Sequence, residues 1–390
     1  MSMKIGHKLA QFAAQMGRGC SRPVYKFIRD MLTGMVAKKS ILLSDVGRAL
    51  NEPTDLLYTE KRLSRNLCHA DVGDDDIRER YLETVHADTK GAVIAFDLSE
   101  IRKEYAKDMP YLAGVYDSSA KETGDGWWLT MCEAIRPDGK HIPLWMKTYS
   151  QKTPGFVSEN AEIIETVRRI AAHTDRSAMW VFDRGFDRPK LMTACEELGI
   201  TYVIRQVGKR NIANADETDL TFRIASKVRM PYRFAWRSIR HGKPRPIEYR
   251  CGSTLVQFPD GHKAQLLVMH HGTFREPMML VSNCLDTRRE TVIRLCLAYL
   301  RRWSIEEATR AIKQCFALEN VRALTWTGIQ RMVLFAFLAW GFLCKIAKTL
   351  KVKSAKILGF SKWFGEVPEF FYYRLAESVA LLLLFSCRSS

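Results

Sequence analysis

Apolar residues recur at spacings of three and four over residues 8–16 and 24–35, the period of amphipathic helices. Residues 42–50 form a shorter amphipathic segment, which Asn51-Glu52-Pro53-Thr54 breaks. A further helical segment over 56–67 carries Lys61, Arg62 and Arg65. Two short helices with a tight break between them suit a helix-turn-helix, although a helical bundle with a solvated basic face has the same pattern. The acidic stretch from Asp71 to Asp76 reads as a linker whose charges favour the start of the next helix.

From Gly91 the pattern changes to strands. The apolar run 92–97 ends on Asp97. Strands over 127–134 and 141–146 follow, joined by the turn Pro137-Asp138-Gly139. An amphipathic helix over 159–172 leads to a second apolar strand, 178–183, which ends on Asp183. A helix over 189–198 and a strand over 201–205 complete this part. Residues 206–285 hold short alternating segments, such as 249–258 and 265–270, and predict a β-rich insertion. From Thr287 onward the pattern is helical.

Charge adds a class of partner. The 390 residues carry a net charge of +17, and a globular protein this basic meets a polyanion, either nucleic acid or an anionic membrane. The excess is local: residues 1–70 carry +7 and residues 205–250 carry +8. A membrane is the weaker candidate. The longest apolar run, residues 332–344, spans 13 residues, against about 20 for a crossing helix. The opening Met1-Ser2-Met3-Lys4 has no signal-peptide pattern, so the expected location is cytoplasmic. Ten scattered cysteines without a C-x-x-C pair argue against a zinc ribbon or a disulfide framework.

Candidate chemistry lies at the strand ends. Two adjacent apolar strands ending on Asp97 and Asp183 place carboxylates close together, a costly arrangement unless a cation neutralises it. An acid after a strand is often only a capping or loop residue, so each aspartate alone says little. A third feature is more specific: Tyr299, Arg302, Glu306 and Lys313 lie at Y-x2-R-x3-E-x6-K. On one continuous helix Tyr299 falls about 20° from Glu306, with Arg302 about 40° and Lys313 about 20° to one side and Arg310 about 40° to the other. Such a stripe can be a solvated face with local salt bridges, but that reading leaves the two aspartates unexplained. Ser304 and Glu307 also read as a capping box, which allows a helix break near Trp303.

The set Asp97, Asp183 within Phe182-Asp183-Arg184-Gly185-Phe186, and Glu306 within the Y-R-E-K pattern resembles the bacterial insertion-sequence transposases of the DDE type. The resemblance spans most of residues 90–330 and continues through residues 316–322. It implies an α/β fold: a ribonuclease-H-like core interrupted by a β-rich insertion, with helical N- and C-terminal regions. It also implies two Mg²⁺ ions, replaceable by Mn²⁺, with Asp97 bridging them and Asp183 and Glu306 holding one each. Arg302, Lys313 and Tyr299 would bind phosphates beside the scissile bond, with further DNA contacts from Arg184, Arg310, Arg322, Lys61, Arg62 and Arg65. Members of this type cut through a hairpin intermediate.

The expected organisation is a DNA-binding domain over 1–88, core segments over 89–205 and 286–330, an insertion over 206–285, and C-terminal helices over 331–390. The N-terminal helices would bind terminal inverted repeats, and the C-terminal helices would form core or a dimer interface. Trp236 lies among Arg233, Arg237 and Arg240 in the insertion, and either stacks on an extruded base or packs in a core. His270 and His271, adjacent on a strand, point to opposite faces and do not suggest a metal site. The resulting expectation is a DNA transposase, nucleoid-associated and at least dimeric when active, that cleaves element ends and joins them to target DNA. The alternatives are an endonuclease on the same core that does not join strands, and a DNA-binding repressor, for which three acids would be superfluous.

Overall fold

A computed structural model describes residues 2–106, 108–117, 120–240, 243–272, 276–349, 357–361 and 370–387. The chain divides into two compact units: Met1–Asp88 with Leu98–Glu162 and Glu306–Ser390, and Thr89–Asp97 with Ile163–Ile305.

The first unit opens with α1 (Ser2–Met16), α2 (Arg22–Lys38), α3 (Leu43–Leu50), α4 (Leu56–Leu67) and α5 (Asp74–Val85). Helix α2 starts with Pro in its first turn, where a missing N–H costs nothing, and stops at Lys39, which is left-handed with φ 51°. Its residues Val24, Phe27, Ile28, Met31, Leu32 and Met35 are buried, as their spacing predicts. Helix α3 stops at Asn51, also left-handed, and Asp55 caps α4 by accepting from the Leu57 N–H at 3.0 Å. The spacing of four between Thr59, Leu63 and Leu67 buries one face of α4, while Leu57, Tyr58, Lys61, Ser64 and Arg65 face solvent.

Arg62 is on neither face of that division. Its guanidinium reaches buried Asp30 and Glu52, each at 2.9 Å, and Lys26 reaches the same two carboxylates at 2.8 Å. Burial pulls the Glu52 carboxyl upward, but hydrogen bonds from Lys26, Arg62 and Thr59 outweigh it and hold its pKa at about 2. A depressed carboxyl stabilises the fold fully above its unfolded pKa of 4.5, and that contribution is lost as pH falls from about 4.5 to about 2. Glu52→Gln is therefore expected to flatten the acid limb of a thermal-denaturation series against pH. An unchanged acid limb would rule out Glu52 as its source.

This unit also holds the strands β2 (Ala113–Asp117), β3 (Glu122–Ile135) and β4 (His141–Tyr149), and the second half of β1 (Val93–Arg102). β2 pairs with β3 and β3 with β4, both antiparallel. The β3–β4 turn is closed by Arg136 N–H to Lys140 O at 3.0 Å and needs Gly139 at φ 79°. After α10 (Ser304–Phe316) come α11 (Trp326–Thr349) and α12 (Tyr372–Cys387). Helix α11 is long and apolar enough to cross a membrane, yet 83% of its apolar window is buried among the elements of its own unit, so it is a core helix. Phe335 meets Phe27 edge to face at 5.2 Å, and Phe337 meets Tyr81 at 4.8 Å. Trp340 Nε1 donates to buried Glu133, which also pairs with His141 Nδ1 at 2.8 Å.

In the second unit the first half of β1 lies parallel to β5 (Met179–Phe182), and β5 lies parallel to β6 (Thr201–Arg205). Helices α6 (Glu159–Ala171) and α7 (Pro189–Glu197) make the crossovers that parallel strands require. The order continues from β6 through β12 (Met278–Ser282), β11 (Lys263–His270), β10 (Lys243–Gln257), β7 (Asn211–Ala213) and β8 (Thr218–Leu220). β9 (Tyr232–Arg240) pairs with β10, and the short α8 (Thr221–Lys227) follows β8. The insertion is thus β-rich, as expected, and extends the sheet through β12 on β6. Antiparallel strands followed by parallel strands with helical crossovers form a mixed α/β, ribonuclease-H-like core. The described cysteines are free thiols.

Candidate active site

The second unit places Asp97 and Asp183 at matching positions on neighbouring strands. In the β1–β5 ladder the last partners are Phe96 and Phe182, and each aspartate is the next residue. Neighbouring strands lie about 4.8 Å apart, so side chains at matching positions on parallel strands are neighbours on one face. Asp183 follows the end of β5 in extended backbone, with φ −77° and ψ 176°. Asp97 differs from expectation: β1 does not end there but runs on to Arg102. What ends just before Asp97, at Phe96, is the pairing with β5, because β5 stops at Phe182 while β1 continues.

Helix α9 (Arg289–Arg301) delivers Tyr299 to this pair. Its phenol donates to Asp183 Oδ1 at 3.2 Å. The side chain is 5% exposed, and burial pushes its pKa up to about 12; the Asp183 charge adds to the rise, while Arg302 and Arg205 oppose it. The phenol therefore keeps its proton at neutral pH and acts as a donor. Arg302, also 5% exposed, sits over the Tyr299 ring with its guanidinium carbon 5.9 Å from the centroid.

The single helical stripe is not formed. α9 stops at Arg301, residues 302–303 make a turn, and α10 begins at Ser304. Two tight backbone bonds shape this turn, Arg302 N–H to Tyr299 O and Ile305 N–H to Arg302 O, both at 3.0 Å. The Ser304 hydroxyl does not cap α10 either, because it donates to Arg301 O at 2.7 Å. Tyr299 and Arg302 thus close α9 in the second unit, whereas Glu306, Arg310 and Lys313 lie on α10 in the first. The apolar set Ile305, Ala308, Ile312 and Phe316 is buried, as its spacing predicts.

The remaining candidates have varied surroundings. Lys313 Nζ pairs with Glu100 of β1 at 2.8 Å, both side chains largely buried. Arg310 and Arg322 are exposed in the first unit, and Arg184 is exposed in the second. Lys61 and Arg65 are exposed, whereas Arg62 is committed to Asp30 and Glu52. Trp236 is half-buried on β9 opposite Ile247, so it is not a core residue, and Arg233 and Arg237 beside it are exposed. His270 is half-buried, and His271 is buried with its ring edge-on to Tyr249 at 4.9 Å. Glu100 was not expected from the sequence: an acid within a strand carries no local mark that it will hold a distant lysine.

Among the described residues no group of three or more His, Cys, Asp and Glu side chains is close enough to hold a metal. The aspartate pair nonetheless suits a hard divalent cation. Mg²⁺ takes one or two carboxylates and completes its shell with water and phosphate oxygens, and a cation relieves the repulsion between neighbouring carboxylates.

No curated protein matches the sequence. Among solved structures, the chain is similar to a piggyBac transposase in a synaptic complex with hairpin DNA, at 11% identity and a TM-score of 0.47, over 99% of this chain and 80% of that one. The family described as "Transposase DDE domain" matches residues 93–342, from the first strand of the core to the middle of α11. With nearly two thirds of its length in that match, including Asp97, Asp183 and Glu306, the chain belongs to the transposase DDE domain family.

Proposed function

We propose that this protein is a bacterial insertion-sequence transposase of the Y-R-E-K type, which binds the terminal inverted repeats of its element, cleaves the ends through a hairpin intermediate and joins them to target DNA. The single observation that supports the reading is that Asp97 and Asp183 each directly follow the last partners of the β1–β5 ladder, Phe96 and Phe182, in a chain of this family. Divalent ions, Mg²⁺ or Mn²⁺, would activate the attacking oxygen and stabilise the leaving one in phosphoryl transfer. Asp97 and Asp183 would hold them, with Glu306 as the third carboxylate. Arg302, Lys313 and Arg310 would supply positive charge for phosphates, and Trp236 would stack on an extruded base. We further assign end recognition to residues 1–88, catalysis to the segments 89–205 and 286–330, the Trp236 platform to 206–285, and dimer contacts to 331–390. Pairing two DNA ends requires at least a dimer.

The test is incubation of purified protein with Mg²⁺ and DNA carrying the sequences that flank the coding region, followed by mapping of strand breaks on denaturing gels. Breaks at the element ends with covalently closed products support the reading. Cleavage without joined products favours an endonuclease, and no cleavage in Mg²⁺ or Mn²⁺ overturns it.

End recognition makes a separable prediction. Lys61→Ala and Arg65→Ala are expected to weaken duplex binding about equally for all sequences, each lowering the salt slope by about one. Arg62→Ala is expected to lower the unfolding midpoint instead, because it leaves buried Asp30 short of a cation. Gel-shift titrations at several salt concentrations, beside thermal denaturation, separate the two. A reduced salt slope for Arg62→Ala with unchanged stability would contradict the assignment.

A further inference from the structure

We infer that Tyr299 is a positioning residue for the Asp183 carboxylate: its phenol ties down Oδ1 and leaves Oδ2 as the oxygen that ligates a divalent cation. This inference rests on the proposed metal-dependent function, and it gives Tyr299 a role other than the phosphate contact that the Y-R-E-K pattern suggests.

Three observations converge. The phenol has one proton to donate, and at 3.2 Å it is given to Asp183 Oδ1. The ring is buried, and Arg302 packs over it, so its orientation is constrained. The backbone adds a further constraint, since α9 ends in a turn in which the Arg302 N–H is bonded to Tyr299 O. A phenol held on three sides, with its only proton on a carboxylate, orients that carboxylate. Residues that orient metal ligands typically contribute 10–100-fold to metal affinity.

The experiment uses the full-length chain and Mn²⁺ alone as the probe, with free Mn²⁺ followed by electron paramagnetic resonance. Wild type is compared with Tyr299→Phe, Tyr299→Leu and Asp183→Asn. Thermal stability and binding of a random-sequence duplex in metal-free buffer are measured in parallel. Tyr299→Phe keeps the ring and removes the proton, so Mn²⁺ affinity is expected to fall about 10–100-fold with duplex binding and stability unchanged. Tyr299→Leu extends the test should the Phe variant fold poorly, with the same loss of Mn²⁺ binding expected. If both Tyr299 variants bind Mn²⁺ as wild type does while Asp183→Asn is defective, the positioning role is overturned and the metal site stands. If Asp183→Asn also binds Mn²⁺ normally, the metal-site reading is overturned, and the inference with it. A loss of metal-free duplex binding in Tyr299→Phe at unchanged Mn²⁺ affinity would return Tyr299 to the phosphate.

Discussion

Replacing Asp97 with Asn is expected to lower DNA cleavage about 10³-fold or more, while binding of DNA ends is retained or tightened. Asp97 and Asp183 each follow the last partners of the β1–β5 ladder, so losing the Asp97 carboxylate would remove half of the proposed metal-binding pair. Removing a negative charge also lowers repulsion toward phosphate when no metal is bound. Glu306→Gln is expected to behave in the same way, as the third carboxylate of the set. Arg302→Ala and Lys313→Ala should differ from the acids, weakening binding near the cleavage site, slowing cleavage and lowering the salt slope by about one per lost contact. Lys313→Ala has a second consequence, because it strips Glu100 of the ammonium 2.8 Å away and leaves that carboxylate without this cation. Gel-shift titration run beside cleavage at varied Mg²⁺ separates the two classes. Full activity in Asp97→Asn would sink the metal-site assignment, and wild-type cleavage by Glu306→Gln beside an inactive Glu307→Gln would move the third carboxylate by one residue.

The largest effect on stability is expected from the core of the first unit. Phe335→Ala should destabilise the protein by about 3–5 kcal/mol. The Phe335 side chain is fully buried on α11 and packs edge to face on Phe27 of α2. Truncation removes apolar burial, an aromatic pair and one of the contacts that join α11 to the N-terminal helices. Little can move in to fill the space, because its neighbours on α11 are themselves buried. Gly341 shows how closely this helix is packed: a Cβ there would lie 2.6–2.8 Å from the hydroxyl and ring of Tyr81. Equilibrium unfolding in urea measures the loss. A cost below about 1 kcal/mol would mean that α11 is not the packed core helix described above.

The strands that carry the aspartates were legible because parallel strands covered on both faces read as unbroken apolar runs. Residues 92–97 and 178–183 have that form, and both were placed within one or two residues of the observed β5 and the start of β1. β2 was not anticipated: Ala113–Asp117 is five residues long with alternating burial, too short to separate from a loop. The second half of β1 was missed for a related reason. Leu98-Ser99-Glu100-Ile101-Arg102 is mostly polar and only partly buried, so the apolar signal stops at Asp97 while the backbone pairing continues. The apolar run 332–344 marks only part of α11, whose role as a core helix depends on what packs around it.

Local features of the chain determined where the helices and strands lie and which acids follow the apolar strands, because such features depend on a few neighbouring residues. The period of buried positions in α2 and α4, the left-handed stop at Asn51, the Asp55 cap and the glycine turn before β4 are all of this kind. Only the tertiary structure decided what each polar side chain does. Tyr299 meets Asp183 across 116 residues of sequence, and Lys313 meets Glu100 across 213. Arg62 turns inward to Asp30 and Glu52 while Lys61 and Arg65, one and three positions away, remain exposed. The break after Arg301 divides a pattern that periodicity alone would draw as one stripe. A hydrogen bond or ion pair is fixed by distance and direction within a few tenths of an ångström. That placement comes from the packing of distant elements, whereas helical and strand period comes from the backbone geometry of adjacent residues.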